Sequence, residues 1–553
     1  MRRHKRAFAA VAAAVLALTV SGCAGGRVRG AQDTPQDTPR PDPSSAQSSP
    51  AASPGAPGNA TFVYAPNLDV VTDWDPASSY SNEIIAMQNV YESLTVYNQR
   101  TGKAEPRLAT SWTSSSDGRI WTFTLRDGAV FHTGRPVNAA AAKASIERTR
   151  KIGAGAAYIW GAVEGIEARD AKTLVFTLKY PSPLDLVASS GYAAYVYDIQ
   201  ATGNGDLKKW FEQGKDAGSG PYTIGSWRKG EETELTLKAF EGYWGGWDGP
   251  HYTKITYRVT PEPTTAARLL QRDEVSFVPR LSPQLFAEAA RQGAQTSETA
   301  SFQNLLTLFN TASGPLRDVR IRQALQKAID YEGLIDALKG SARPTPGLVP
   351  LGLLGFTSGD LPKQDLPGAQ ELLAQAGYGP DLQELRLTLT YAQGDSDQRL
   401  LVTLLSSALK QLHVTLEATP LQWNAQWGRG KAKDPGKRQD IFVMYWYPDY
   451  ADAYSWFVNV FRSADPISFN LSYLEDRAVD SAIDALPELT ATDRAAAEKS
   501  YTELQRMIVT ERAAVAVPYV QNYQRAYARS VRGYVDNPAY PNVVFVHGLA
   551  PGL

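Results

Sequence analysis

Residues 121–139 read WTFTLRDGAVFHTGRPVNA, and this stretch predicts a strand and a helix in close succession. Its first five residues alternate apolar and polar side chains, which is the period of a β-strand with one buried face. The turn signal Asp117-Gly118 precedes them. Asn138 is a favourable helix N-cap, and a helix is predicted from it to about Lys151. This part of the chain therefore predicts a fold that mixes α and β structure.

Working outward, the same patterns recur along the chain. A second strand is predicted from Thr173 to Leu178, and the unbroken apolar run Ile441–Trp446, stopped by Pro448, predicts a buried strand. Asp318 is expected to cap a longer helix that Gly340 ends. Further helices are predicted around Leu372–Ala376, over Leu400–Leu412 and over Ala495–Val509. Strands and helices interleave without strict alternation, which favours an α/β protein of several lobes.

The N-terminus predicts export. Residues 1–6 are basic, and the apolar run from Ala7 to Val20 is too short to span a bilayer. Basic, apolar and small segments in that order are typical of a signal peptide, predicted here over residues 1–22. The next residue, Cys23, is the only cysteine of the chain. Residues 20–23 (VSGC) resemble the bacterial lipobox, which implies acylation of Cys23 and attachment to the outer face of the cell membrane; an ordinary signal peptide is the alternative.

The segment that follows Cys23 predicts a tether. Residues 24–60 contain seven prolines among small and polar residues and almost no large apolar side chain. Such a composition cannot bury enough surface to fold. We therefore expect a lipid-anchored, disordered tether over residues 23–60 and a folded body over residues 61–553.

Charge and composition exclude some function classes. The 553-residue chain carries 56 basic and 57 acidic residues, and without the signal peptide the balance is mildly acidic. Nucleic-acid binding needs a basic surface and is not expected. The 12 Trp, 27 Tyr and 17 Phe residues suit a large cavity with aromatic walls as well as a core.

Five segments in order then point to a family. They are residues 73–76 (DWDP) with 91–94 (YESL); 108–112 (LATSW) with 121–139; 218–222 (GSGPY) with Tyr243-Trp244; 309–311 (FNT) with 315–325 (PLRDVRIRQAL); and 369–378 (AQELLAQAGY). From about residue 61 to the C-terminus, the chain resembles the family 5 extracellular solute-binding proteins, the receptors of peptide and nickel ABC importers.

This resemblance implies a periplasmic-binding-protein-like α/β fold of type II, cluster C. Two main lobes would surround a ligand cleft, and an accessory lobe would be inserted. By analogy, lobe I comprises about 61–103, 216–312 and 522–553, lobe II about 104–215, and lobe III about 313–521.

The resemblance also implies a site after the buried strand, in residues 445–450 (YWYPDY). Oligopeptide-binding relatives carry a Trp and, three residues later, an Asp that pairs with the α-ammonium of the peptide. Trp446 and Asp449 have this spacing, and Tyr445 and Tyr447 flank the tryptophan. The alternative interpretation is a surface aspartate in a turn beside a core tryptophan.

Two other segments are weaker candidates. Ser79, Tyr80, Ser81 and Asn82 form a polar stretch that touches the ligand backbone in relatives, and a plain turn is an equal alternative. Trp423 and Trp427 have helical spacing and could line a pocket, but core packing is favoured.

No catalytic or metal-binding constellation is visible in the sequence. The five histidines are scattered without metal-ligand spacing, and Ser226-Trp227-Arg228-Lys229 matches a Ser-x-x-Lys motif without a Lys-Thr-Gly partner. We expect no enzyme activity, no metal and no cofactor.

The predicted function is a monomeric receptor that closes over oligopeptides and delivers them to an ABC permease. A receptor for a nickel chelate, an oligosaccharide or another small solute is the alternative, as is a sensory peptide receptor. A secreted hydrolase is a remote one.

Overall fold

A computed structural model describes residues 60–67, 70–71, 73–227 and 234–552. The predicted signal peptide, Cys23 and nearly all of the predicted tether lie outside the described residues, as do Arg228 and Lys229 of the Ser-x-x-Lys motif. None of the helices within the described ranges has the length and hydropathy needed to cross a membrane.

The strands of the described residues are, in chain order, β1 (Ala60–Tyr64), β2 (Thr95–Asn98), β3 (Lys103–Pro106), β4 (Ala109–Ser114), β5 (Ile120–Leu125), β6 (Val163–Ala168), β7 (Thr173–Leu178), β8 (Tyr222–Ser226), β9 (Glu234–Ala239), β10 (Tyr252–Arg258), β11 (Phe277–Val278), β12 (Gln295–Phe309), β13 (Ala342–Arg343), β14 (Leu385–Ala392), β15 (Val414–Leu421), β16 (Ile441–Trp446), β17 (Val515–Tyr527), β18 (Val531–Arg532) and β19 (Ala550–Pro551).

The α-helices are α1 (Ile84–Val90), α2 (Ala139–Ile152), α3 (Leu184–Val187), α4 (Leu207–Glu212), α5 (Pro263–Gln271), α6 (Pro283–Arg291), α7 (Val319–Ala328), α8 (Tyr331–Leu338), α9 (Leu366–Gln375), α10 (Ser396–Gln411), α11 (Trp423–Gly430), α12 (Tyr454–Trp456), α13 (Arg477–Thr492) and α14 (Arg494–Gln505). Short 3₁₀ and π turns extend several of these elements.

Most predicted elements are confirmed, and one is wrong. Strands β5, β7 and β16 and helix α2, which Asn138 caps through the backbone N–H of Ala141, form as expected. The single helix predicted from Asp318 to Gly340 is instead two helices, α7 and α8. Ile329 is extended between them, and the Asp330 side chain accepts the N–H of Gly333 and begins the second helix. An N-cap competes with the helix interior, so an internal aspartate can end one helix and start another.

A large mixed sheet organises the molecule. Its strands run in the order β15-β14-β16-β12-β17-β11-β1-β10-β9-β8, and β13 pairs with β17 beside this path. We call β1 and β8–β11 the first half and β14–β16 the second half. The long antiparallel strands β12 and β17 link the two halves. A separate antiparallel sheet of β4-β5-β7-β6 lies within the segment inserted between β3 and β8.

Two of the five family-like segments meet at one buried carboxylate, that of Glu92. Its Oε1 accepts hydrogen bonds from Arg107 Nε at 3.1 Å and the Tyr243 hydroxyl at 3.1 Å. Its Oε2 accepts hydrogen bonds from Ser219 Oγ at 3.0 Å and Trp244 Nε1 at 2.9 Å. Segments far apart in sequence are therefore held together by a fully satisfied charge.

Arg280 forms an ionic contact between the two halves of the large sheet. It follows β11 of the first half, and its guanidinium lies 2.5 Å from Asp397 and 3.8 Å from Asp395, both at the start of α10 beside β14. Among the ion pairs of the described residues, those of Arg280 are the ones that join the two halves.

We expect Arg280→Gln to widen the angle between the two halves, because it removes this attraction. Small-angle scattering of the ligand-free protein should show a larger radius of gyration for the variant. High salt, which screens partly exposed charges, should enlarge the wild type in the same way.

The matched control is Arg462→Gln. Arg462 is as exposed as Arg280, and its ion pair with Asp484 stays within one part of the chain. A radius that rises equally in both variants, or in neither, would contradict a role of Arg280 in holding the halves together.

Candidate functional site

The end of β16 carries the predicted site. The side chains of successive strand residues point to opposite faces of the sheet, so those of Tyr445 and Trp446 lie on different faces. Trp446 is buried, and its Nε1 donates to Ser455 Oγ at 3.2 Å. Pro448 then ends the strand, and the chain turns so that the next residue, Asp449, lies beside Ser455.

Asp449 is enclosed by neutral hydrogen-bond donors. It is only 2% exposed, and its Oδ2 accepts hydrogen bonds from the hydroxyl of Tyr158, from Ser455 Oγ at 3.0 Å and from Asn459 Nδ2 at 3.3 Å. The hydroxyl of Tyr80 also bonds this carboxyl. The alternative interpretation, a surface aspartate, is therefore wrong.

Asp449 has no ionic partner in the described part of the chain, since no Lys, Arg or His there forms an ion pair with it. Burial therefore raises the pKa of the carboxyl above its usual value, although the hydrogen bonds oppose this change. Burial, and next the Asp449 carboxyl itself, raises the pKa of Tyr80 and Tyr158. A buried carboxyl with a shifted pKa and no cation is a candidate for binding a cationic group.

The backbone beside Asp449 is held by the inserted segment. The carbonyl oxygen of Asp449 accepts hydrogen bonds from Ser190 Oγ at 2.6 Å and from the N–H of Gly191 at 3.3 Å. Tyr447 and Tyr192 join their hydroxyls at 3.0 Å. No local pattern marked these partners, because each contact joins residues more than 250 positions apart.

The polar stretch at residues 79–82 reaches the site only in part. Tyr80 lies against Asp449, and the carbonyl oxygen of Ser81 accepts the Tyr192 hydroxyl at 2.6 Å. Ser79 is buried, but its hydroxyl turns to the sulfur of Met87. The carbonyl of Asn82 accepts the N–H of Ile85 at the start of α1, and Asn82 is not among the hydrogen-bond partners of the Asp449 carboxyl within the described residues.

Aromatic rings form a continuous wall beside the carboxyl. Phe469 packs on Trp446 at a centroid distance of 5.0 Å and on Tyr80 at 5.8 Å. It also contacts Trp427 at 4.6 Å, which stacks on Trp423 at 5.5 Å. Trp423 is 45% exposed, so the expectation that this residue is core is wrong.

Tyr445 lies on the opposite face of β16. Its hydroxyl is 3.2 Å from that of Tyr519 and 3.4 Å from Asp395 Oδ1, and Arg280 lies over its ring. The structure therefore places Tyr445 beside the Arg280 ion pairs and away from Asp449.

Two surface cavities lie elsewhere. One of about 270 Å³ is lined by Tyr97, Arg107 and Phe545 among others, and one of about 230 Å³ lies beside the start of α2. Neither is lined by a predicted site residue. The described residues contain no group of three or more His, Cys, Asp or Glu side chains placed to hold a metal ion.

Sequence comparison identifies relatives of the whole folded body. The profile of the bacterial extracellular solute-binding proteins, family 5, matches residues 103–467. The probable D,D-dipeptide-binding periplasmic protein DdpA of Escherichia coli is 28% identical over 488 residues, covering 86% of this chain and 92% of its own. The periplasmic murein peptide-binding protein MppA of the same organism is 24% identical, covering 85% and 90%. The nickel-binding periplasmic protein of E. coli is 28% identical, covering 60% and 66%.

Solved structures share the fold. The murein tripeptide binding protein MppA of E. coli superposes with a TM-score of 0.77 at 22% identity, covering 89% of this chain and 99% of its own. NikA of Brucella suis in complex with Fe(III)-EDTA gives 0.77 at 20% identity, covering 89% and 100%. The predicted type II periplasmic-binding-protein fold is confirmed.

The raised pKa of Asp449 predicts a pH-dependent stability. The folded state binds this proton more tightly than the unfolded state, so stability falls as pH rises from the usual carboxyl pKa through the raised one. The other titratable groups that face Asp449, namely Tyr80, Tyr158, Tyr447 and Tyr450, have raised pKa values and stay neutral in this range. Asp449→Asn should therefore melt at a higher temperature than the ligand-free wild type at neutral pH, because the amide cannot ionise in the buried site.

The contrasting control is Asp216→Asn. His132 and other donors hold the pKa of Asp216 below its usual value despite its burial, so this carboxylate stabilises the fold at neutral pH and its removal should lower the melting temperature. The gain from Asp449→Asn should shrink as pH falls toward the usual carboxyl pKa. A gain that is constant with pH would show that charge burial at Asp449 is not its cause.

Proposed function

Since this chain belongs to the bacterial extracellular solute-binding proteins of family 5, we propose that it captures oligopeptides and delivers them to the permease of an ABC importer. Membership of this family implies that the protein acts outside the cytoplasm and that it binds a solute. Relatives named for D,D-dipeptides, murein peptides and dipeptides support the choice of a peptide.

Asp449 is the observation that carries this proposal. Removing a carboxylate from water is costly unless a cation compensates it, and the described residues offer hydroxyl and amide donors only. The α-ammonium of a peptide supplies the missing charge and donates hydrogen bonds to the same oxygens. Trp446, Phe469 and Tyr80 then form an aromatic wall for the adjoining side chain.

Closure of the cleft belongs to the same proposal. Lobe I (about 61–103, 216–312 and 522–553) and lobe III (about 313–521) would move about the linking strands β12 and β17. Lobe II (about 104–215) would carry Tyr158 and Ser190 onto Asp449. A ligand drives such a change only through contacts that differ between the open and closed states, and an ammonium at Asp449 is one. We propose a monomeric receptor.

A nickel-chelate receptor is the second candidate, because a nickel-binding protein is among the relatives. Titration with a nickel chelate and with peptides in parallel separates the two candidates.

Catalysis is not part of the proposal. Ser226 bonds Thr236 at 2.8 Å, so this hydroxyl is engaged within the strand pair β8–β9.

We further propose that Cys23 is acylated and anchors the receptor to the membrane. The VSGC segment and the proline-rich tether support this, and two or more acyl chains give stable anchoring. Mass analysis of the mature protein should show loss of residues 1–22 and a diacylglyceryl group on Cys23. Cys23→Ala should appear in the soluble fraction, and a variant that stays membrane-bound to the same extent would contradict the anchor.

Asp449→Asn tests the ligand assignment. The change keeps the shape and removes the charge, and loss of one partner of a buried charge pair costs about 2–5 kcal/mol. Peptides with a free amine should therefore bind the variant about 30-fold more weakly or worse. N-acetylated peptides carry no cation, so they should bind the wild type poorly and lose little further.

Calorimetry of the two proteins with the two peptides isolates this coupling. Asp484→Asn, at an exposed carboxylate paired with Arg462, is the control and should change neither affinity. If Asp449→Asn weakens both peptides equally, or neither of them, Asp449 does not bind the ammonium.

A further inference from the structure

A strongly basic segment begins in α11 and continues beyond it. Residues 423–438 read WNAQWGRGKAKDPGKR and contain five basic residues and one acidic residue, in a chain whose net charge is slightly negative. Three of the cations, Lys431, Lys433 and Lys437, are exposed, and the two arginines are half-buried. We call the following residues the basic strip: Trp423, Arg429, Lys431, Lys433, Lys437 and Arg438.

Tyr473 holds the cations of the basic strip together. Its hydroxyl donates to the carbonyl oxygen of Gly430 at 2.8 Å, and the Arg438 guanidinium lies 4.7 Å from its ring centroid. Burial raises the pKa of Tyr473 to about 12, and the nearby guanidiniums of Arg438 and Arg429 are among the groups that oppose this change. Arg438 Nε also donates to the carbonyl oxygen of Ala432 at 2.8 Å, which closes the loop that carries Lys433 and Lys437.

No carboxylate compensates the basic strip. None of its five cations forms an ion pair within the described residues. Asp434, the acidic residue of the segment, accepts the N–H of Gly436 at 3.0 Å through Oδ1. The C-terminus of α11 favours nearby cations, which accounts for Arg429 and Lys431 at its end but not for the cations beyond its last turn.

An exposed tryptophan lies beside these cations. Trp423 is 45% exposed and stacks on Trp427 at a centroid distance of 5.5 Å. Lys431 Nζ lies 4.9 Å from the Trp427 ring centroid. Tryptophan rings next to Lys and Arg are typical of surfaces at a membrane–water interface, where the ring lies among lipid headgroups and the charged tips stay in water.

The proposed lipid anchor keeps the basic strip within reach of a membrane. Cys23 precedes Ala60, the first residue of β1, by 37 positions. A random coil of this length spans about 30–35 Å. A short link of this kind gives the membrane surface a high effective concentration, so weak contacts are sufficient for docking.

We propose that the basic strip docks on the phosphate headgroups of the anionic membrane to which the chain is anchored. This inference goes beyond solute capture and requires no particular ligand. Exposed lysines bind as flexible point charges, which suits a fluid array of phosphates better than the fixed carboxylates of a protein partner. Trp427 contacts Phe469 of the aromatic wall at 4.6 Å, so docking directs this wall toward the membrane and the proposed permease.

Co-sedimentation with lipid vesicles tests the proposal. The protein is the mature chain, residues 23–553, with Cys23→Ala so that no acyl chain anchors it; we call it the unanchored chain. It should bind vesicles of phosphatidylglycerol and phosphatidylcholine in equal amounts, and not vesicles of phosphatidylcholine alone. Binding should be lost between about 0.1 M and about 0.5 M salt, because the Debye length becomes shorter. Excess inorganic phosphate should not release the protein, since one ion replaces only one of many contacts.

Removal of the three exposed lysines should weaken this binding. A lysine near an anionic lipid surface contributes about fivefold to the affinity. Lys431→Gln, Lys433→Gln and Lys437→Gln, combined in the unanchored chain, should therefore weaken binding to the anionic vesicles about 100-fold. Trp423→Ala should also weaken binding but leave its dependence on salt unchanged, because the ring carries no charge.

The matched control combines Lys151→Gln, Lys363→Gln and Lys410→Gln. These lysines are also exposed and form no ion pair within the described residues, and they lie in α2, before α9 and in α10. The control has the same net charge as the strip variant and should bind anionic vesicles as the unanchored chain does. Equal melting temperatures of the two triple variants show that both are folded.

Two kinds of result overturn the proposal. Equal binding to both kinds of vesicle, or an equal loss in both triple variants, shows that the basic strip is not a surface for anionic lipid. Failure to bind either vesicle, or release by inorganic phosphate, assigns the strip to an acidic protein or to a small anion instead. Peptide binding at Asp449 is measured without membranes, so a failure here is distinguishable from a failure of the proposed function.

Discussion

A carboxylate that folding removes from water must be compensated, and this constraint organises the molecule. Asp75 receives a two-pronged contact from Arg148, Glu92 pairs with Arg107, and Asp536 pairs with Arg525. The paired residues are 73, 15 and 11 positions apart in sequence. Asp449 is buried to the same extent but receives hydroxyl and amide hydrogens only. Asp452 is likewise buried without an ion pair among the described residues, and its carboxyl accepts hydrogen bonds from the Tyr501 hydroxyl and the N–H of Tyr454. The ion pairs of the scaffold therefore leave the carboxyls of Asp449 and Asp452 without a cation among the described residues.

The buried carboxylate of Glu92 also fixes two of the family-like segments relative to each other. Tyr91-Glu92 supplies the carboxylate, residues 218–222 supply the Ser219 hydroxyl, and Tyr243-Trp244 supply a hydroxyl and an indole N–H. The two oxygens of Glu92 accept four hydrogen bonds, and a displacement of any of these segments would break at least one of them. A resemblance built on these motifs therefore predicts the fold and carries no information about the ligand.

The sequence predicted those features that depend on interactions within a single segment. The alternation in β5 and the apolar run of β16 are properties of single segments, and both strands formed as predicted. The alternation rule also separates Tyr445 from Trp446, so the sequence already contained the signal that only one of the two faces Asp449. Tyr158 and Ser190 carried no such signal, because the insertion brings them to Asp449 from about 290 and 260 positions away.

The balance of charges bears on how ligand binding drives closure. Under the proposed function, a closed cleft without a ligand would bury an ionised Asp449 without a cation, which would disfavour closure at neutral pH. The contacts of Arg280 with Asp395 and Asp397 act in the opposite direction, since they attract the two halves whether or not a ligand is present. A partly exposed ion pair contributes only about 0–1 kcal/mol, which is less than the cost of stranding a buried charge. Under the proposed function, the empty protein would therefore favour the open state at neutral pH, and the cation of a ligand would shift the equilibrium toward the closed one. Under the same proposal, a solute without a cation would leave the cost at Asp449 in place, so this carboxylate would select against solutes that cannot compensate it.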